Sequence, residues 1–208
     1  MTFAPRRAVK SKLGERTLVQ GVLADSPSDD LVACLAPLGF DLIFIDCEHG
    51  GTDFETVMRM TRAARAGGVA KLLRPWSKEP GLLRRFIDSG VDGIVAPGVE
   101  TAAEAQLLTQ IIAASEPLDP ESILFMPLIE SRLGVENLDA ILAVPGVDGL
   151  MIAASDLAVA GRAASRRGAA GARNGVPGPG PRARLGGRLG YRRRAAAPKR
   201  LWMGAPPS

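Results

Sequence analysis

The chain has 208 residues, 46% hydrophobic and 23% charged, the balance of a folded domain rather than of a disordered or fibrous chain. No run of about 18 apolar residues occurs, which excludes a membrane-spanning helix, and two cysteines, Cys34 and Cys47, cannot form a disulfide framework or a four-thiolate zinc site, so a cytoplasmic setting is expected. The net charge of +4 averages two unlike parts: residues 161–208 hold eleven arginines and Lys199 with no acid, which leaves 1–160 acidic.

The first residues are basic (Arg6, Arg7, Lys10, Lys12) and lack the apolar run of a secretory signal, so 1–13 is read as a flexible N-terminus in preference to an organelle presequence. A pattern then recurs over 14–160. Apolar runs at Thr17–Leu23, Asp41–Cys47, Val69–Arg74, Gly93–Pro97, Ile123–Glu130 and Gly149–Ala154 are continuous rather than alternating, as in parallel strands buried on both faces. Between them the spacing predicts helices near 29–38, 54–66, 79–90, 101–115 and 134–144. Thr52 with Glu55 and Thr101 with Glu104 have capping-box spacing, and Gly39, Gly67, Gly90 and Gly146 sit at helix stops. Six strand–helix units suit a (β/α)8 TIM-barrel type of α/β fold with two units not legible, or an open doubly wound sheet. No G-x-G-x-x-G or Walker loop opens a helix, which favours the barrel.

In a barrel the reactive groups follow the C-terminal ends of the strands. Those positions hold Asp46-Cys47-Glu48-His49-Gly50, Arg74-Pro75, Glu130-Ser131-Arg132 and Ser155-Asp156-Leu157. Glu130 and Asp156, on adjacent strand ends, could share one hard divalent cation; solvated or arginine-paired carboxylates would look the same. His49, the sole histidine, suits proton transfer or a plain surface position. Arg74 could bind a carboxylate or an enolate oxygen, or pair with a neighbouring acid, with Asp46 and Glu48 as supporting carboxylates. Asp88 stands near a helix C-terminus, where the dipole disfavours an anion; it is either tolerated there or orients an imidazole.

The segments Gly39-Phe40-Asp41 to Asp46-Cys47-Glu48-His49-Gly50, Leu73-Arg74-Pro75 and Asp88-Ser89-Gly90-Val91-Asp92-Gly93-Ile94 resemble the HpcH/HpaI aldolase/citrate lyase family. So do Pro97-Gly98-Val99-Glu100, Pro127-Leu128-Ile129-Glu130, Val135-Glu136-Asn137, Gly146-Val147-Asp148-Gly149 and Ser155-Asp156-Leu157, so that the match covers about 14–158. The resemblance implies a (β/α)8 barrel, commonly a trimer or hexamer, that reversibly cleaves a 4-hydroxy-2-oxoacid to pyruvate and an aldehyde with a bound Mg2+, Mn2+ or Co2+. It assigns the metal to Glu130 and Asp156, and substrate oxygen and enolate to Arg74. Acid–base work through metal-bound water falls to His49 held by Asp88, and the pyruvate carboxylate to backbone amides around Ser155 and Asp156. The acyl-CoA lyase branch, the alternative, carries an acidic residue where His49 stands. Ala153-Ala154 replace the usual Gly-Pro.

Past Ala160 the resemblance stops, and ten Gly, six Pro and ten Ala leave too little apolar surface to order 161–208. The expectation there is a disordered tail, read as a frame-shifted or truncated barrel end, with an inactive fragment bearing a basic binding arm as the competing reading. Tyr191 and Trp202 are its only aromatics, so nucleic acid is not an expected partner, and neither is a membrane.

Overall fold

The computed structural model describes residues 4–15, 17–24, 26–115, 123–153, 157 and 200–203. In chain order the elements are α1 (Ala4–Gly14), β1 (Gly21–Ala24), α2 (Asp29–Leu35) running into a 3-10 turn (Ala36–Leu38), β2 (Leu42–Asp46), α3 (Phe54–Ala66), β3 (Ala70–Arg74) and α4 (Pro80–Asp88). They continue with β4 (Gly93–Ala96), α5 (Ala102–Ser115), β5 (Leu124–Ile129), α6 (Arg132–Glu136), α7 (Leu138–Leu142), β6 (Gly149–Ile152) and β7 (Arg200–Met203). All strand pairs are parallel and the sheet order follows the chain, β1 to β7. Among the described residues the helices that connect β1 to β6 pack against one face of the sheet, which curls into a half-barrel instead of a doubly wound layer.

Period-2 alternation sorts the side chains. Ile43, Ile45, Leu73, Ile94, Ile129 and Leu150 point outward and pack with Val57, Met60, Leu83, Phe86 and Leu108 of the helices. Leu42, Phe44, Leu72, Val95, Met126, Leu128 and Met151 point inward. Fully burying each such aliphatic or aromatic side chain stabilises the fold by roughly 1.5–3 kcal/mol.

The N-terminus differs from expectation. Residues 4–14 are not loose but form α1, whose Val9 is buried in the inner layer with Leu13 packed against it. Lys12 bonds the Asp41 carboxylate and Lys10 lies 3.6 Å from that of Asp148, both at strand starts, so α1 closes the N-terminal end of the half-barrel. Such a short, basic helix draws its stability from tertiary contacts, which a local reading does not capture.

The same end carries a repeated device. Gly39-Phe40-Asp41, Gly90-Val91-Asp92 and Gly146-Val147-Asp148 precede β2, β4 and β6, each glycine at φ near 90°. The aspartates accept backbone N–H groups at the start of the preceding strand, from Gln20 (2.9 Å), Lys71 (3.0 Å) and Phe125 (2.9 Å). Asp92 also ion-pairs with the ammonium of Lys71, and both side chains are buried.

Two local expectations shift. The N-cap of α3 is Asp53, which accepts from the Thr56 amide at 2.7 Å, while the Thr52 hydroxyl turns back to the Gly50 carbonyl. An ionised carboxylate outcompetes a hydroxyl as a cap because the bond is charge-assisted. The predicted helix over 134–144 is two short helices broken at Asn137, whose side-chain amide donates to the Glu100 carbonyl. Of the 161–208 segment only Arg200–Met203 is described, as β7 beside β6; the rest of that expectation lies outside the described residues. Among the described residues no helix is long and apolar enough to cross a membrane.

Candidate active site

Inward parity carries three ionisable side chains to the C-terminal rim. Asp46 continues the series Leu42, Phe44; Arg74 continues Ala70, Leu72; Glu130 follows Leu124, Met126, Leu128. Asp46 and Arg74 are register partners on β2 and β3.

Arg74 is the hub. Its Nε donates to Asp46 Oδ1 at 2.8 Å and its Nη2 to Asp46 Oδ2, a bidentate fork on side chains only 13% and 7% exposed. Nη2 also lies 3.1 Å from His49 Nδ1, and Nη1 lies 2.9 Å from Glu48 Oε2. That last contact is an ion pair without hydrogen-bond geometry, since Glu48 Oε2 is buried with no hydrogen-bonding donor. The sequence left Arg74 either to a ligand or to a neighbouring acid; the structure commits its Nε edge to Asp46. What remains for a ligand is the Nη1–Nη2 end.

Burial by itself would raise the Asp46 carboxyl, but the hydrogen bonds and charge of Arg74, with backbone amides of Glu48 and His49, outweigh it and hold the group below the usual carboxylate range. Burial likewise works against the Arg74 cation, and Asp46, Glu48 and Glu130 more than restore it. The guanidinium therefore stays charged. Cys47, between these acids, is pushed up to about 12, first by burial and then by the Asp46 charge, so its thiol is no nucleophile at neutral pH.

His49 sits on the β2–α3 loop with 68% of its side chain exposed, its Nδ1 3.7 Å from Glu48 Oε2. Asp88 does not join it within the chain. It is the exposed last residue of α4, and a helix C-terminus in a β/α unit faces the strand starts, the end opposite to His49. Ser155 and Asp156 lie outside the described residues.

Glu130 is held near Arg74, with a lysine of the same rim close by. Lys78, in the β3–α4 loop, donates to the Gly98 carbonyl at 2.8 Å and bonds the Glu104 carboxylate, whose other oxygen accepts from the Glu100 amide at 3.0 Å. A Cβ on Gly98, where φ is +57°, would stand 3.3 Å from Glu130 Oε1 and 3.8 Å from Lys78 Nζ, so glycine leaves the space over the carboxylate open. The one signal for Lys78 was its place on a loop that opens at the rim.

The donor chemistry fits a hard divalent cation. Among the described residues no three His, Cys, Asp or Glu cluster as ligands. A magnesium-type ion requires only one or two carboxylates and takes the rest from water and substrate oxygens. Glu130 beside the open space over Gly98 meets one of those requirements.

A model of the HpcH/HpaI aldolase/citrate lyase family matches residues 21–170, ten residues beyond the point where the resemblance was expected to stop. A hydroxypyruvate/pyruvate aldolase of Rhizorhabdus wittichii is 33% identical over 145 residues, covering 60% of this chain and 58% of that protein. A 5-keto-4-deoxy-D-glucarate aldolase of Escherichia coli (strain K12) is 32% identical over 148 residues, covering 59% and 56%. The chain thus spans little more than half the length of these curated relatives. Among solved structures, an HpcH/HpaI aldolase/citrate lyase family protein from Burkholderia cenocepacia J2315 superposes with a TM-score of 0.67 at 25% identity, covering 81% of this chain and 82% of that one. Inward-facing Asp46, Arg74 and Glu130 at one rim, in a half-barrel that the family model matches over most of its length, place the chain in the HpcH/HpaI aldolase/citrate lyase family.

Proposed function

We propose that the chain carries metal-dependent aldol cleavage of a 4-hydroxy-2-oxoacid to pyruvate and an aldehyde, a carbon–carbon lyase reaction run in either direction. The observation that carries this reading is the Arg74 guanidinium, fixed by Asp46 on the inner face with its Nη1–Nη2 end toward the rim. Names of the relatives, pyruvate and hydroxypyruvate aldolases, support the substrate class.

In the cleavage direction the C3–C4 bond breaks and its electron pair passes into the 2-oxo group, forming the enolate of pyruvate. The 4-hydroxyl proton leaves to His49, and the oxygen keeps the O–H pair as the aldehyde carbonyl. A proton then returns to C3. Arg74 stabilises the enolate charge where it develops, and Asp46 keeps the guanidinium from following the ligand. A divalent cation (Mg2+, Mn2+ or Co2+) held by Glu130 with Asp156 supplies Lewis-acid stabilisation of the same charge when bound. Backbone amides around Ser155 and Asp156 are the proposed seat of the carboxylate.

Schiff-base chemistry is less well supported, because the two lysines near β3 are engaged: Lys71 with Asp92 in a buried pair, and Lys78 with Glu104 and Gly98. We further propose a homo-oligomer. Leu23, on the inner face of edge strand β1, is 52% exposed, a side a neighbouring subunit would cover.

The test is pyruvate release from 4-hydroxy-2-oxoacids with Mg2+ or Mn2+, before and after EDTA, for the full chain and Glu130→Gln. Release that needs both the metal and Glu130 is expected. Cleavage of malyl-CoA or citramalyl-CoA in its place, or no release under any condition, would overturn the reading.

A further inference from the structure

We propose that Arg74 passes one hydrogen-bond donor between His49 and a bound 2-oxoacid, and that this exchange decides when His49 can accept a proton. The inference rests on the aldolase reading above and adds to it a coupling between two residues. A guanidinium has five N–H donors and no acceptor. Nε and one N–H of Nη2 serve Asp46, and the second N–H of Nη2 points at His49 Nδ1, 3.1 Å away. Because Arg74 can only donate, Nδ1 must present its lone pair, and the ring proton of neutral His49 sits on Nε2. While that bond stands, the Nδ1 lone pair is occupied and cannot take a proton.

The other end of the guanidinium is under-used. Nη1 has an ion pair with Glu48 but no hydrogen bond to it. A carboxylate or the oxygen pair of a 2-oxoacid binds two parallel N–H groups, and the Nη1–Nη2 edge offers a pair only when Nη2 lets go of His49. Of the two partners of Nη2, His49 is the one that can leave. The Asp46 carboxylate is almost fully buried and pinned by the Glu48 amide at 3.0 Å, whereas most of the imidazole is in solvent. Once released, Nδ1 has Glu48 Oε2 3.7 Å away, a carboxylate placed to stabilise the imidazolium that forms on proton uptake. A ligand on Arg74 thereby arms the base beside it, and an empty site keeps that base occupied.

His49 is the only histidine, so a full-length chain labelled with nitrogen-15 in histidine gives the signals of one ring. Two-bond nitrogen–proton correlation reads its tautomer directly. In the free chain the Nε2–H form is expected to exceed the Nδ1–H form by more than about tenfold, the bias a charged donor imposes on Nδ1. Saturating pyruvate is expected to move the Nδ1 resonance away from its hydrogen-bonded position, and Arg74→Lys, in ligand-free protein, to collapse the tautomer bias. An Nδ1–H tautomer in the free chain, or an Nδ1 resonance unmoved by pyruvate, would overturn the exchange. Pyruvate release with an unmoved Nδ1 rejects the exchange and leaves the aldolase reading standing. A shifted Nδ1 without turnover supports the exchange while that reading falls.

Discussion

The two ends of the half-barrel use similar residues to opposite effect. At the strand starts, Asp41, Asp92 and Asp148 each take a backbone N–H and a lysine, so that the acid's charge and its lone pairs are both satisfied. At the strand ends, Asp46, Glu48, His49 and Glu130 converge on the Arg74 guanidinium, with Nη1 and Glu48 Oε2 outside any hydrogen bond to each other. A closed network stabilises a fold; an incompletely satisfied one leaves groups that a ligand can complete.

The comparison breaks most sharply under paired substitutions. Arg74→Lys removes the planar fork but keeps the charge, and is expected to lower kcat/KM for pyruvate release by about 10²–10³-fold with a smaller loss of stability than Lys71→Met. Lys71→Met does the reverse, leaving Asp92 buried without its cation. It should cost about 3 kcal/mol in urea unfolding while cleavage at low temperature stays near the parent rate.

Acid separates the ends by degree. Asp46 and Asp41 both have carboxyls held below their unfolded value, burial opposing and Arg74 or Lys12 prevailing. Each therefore contributes stability that is whole above an unfolded pKa of about 3.9 and is lost as pH falls through the depressed folded value. Urea midpoints taken from pH 6 down to about pH 2 should fall, and Asp46→Asn should flatten that acid limb; an unchanged limb would contradict the role given to the Arg74–Asp46 pair. Smallest is the cap of α3, where Asp53→Ala is expected to lower the urea midpoint slightly and Thr52→Ala less.

Much of this was legible in the sequence, and for a definable reason. Asp46, Arg74 and Glu130 follow continuous apolar runs, and period 2 with the strand-end rule puts them on one rim whatever the details of packing. Local competition was not legible: Asp53 and Thr52 are both acceptable caps, and the charge-assisted bond of Asp53 prevails while the Thr52 hydroxyl turns to Gly50. Nor were contacts made across the chain. The packing of α1, the tie of Lys78 to Glu104 and the use of the Arg74 fork by Asp46 join residues 26 to 29 positions apart, which no window of sequence displays. Of the two readings of Asp88, the structure of the single chain displays the exposed helix end and no contact with its own His49.

Among the described residues the Gly-x-Asp stitches occur before β2, β4 and β6, and each reaches back one strand, so the sheet from β1 to β6 divides into three cassettes: β1 with β2, β3 with β4, β5 with β6. Amide exchange is expected to expose the members of a cassette together. Arg74 and Asp46 lie on either side of the first seam, so the fork that orients the guanidinium for chemistry also fastens two cassettes together.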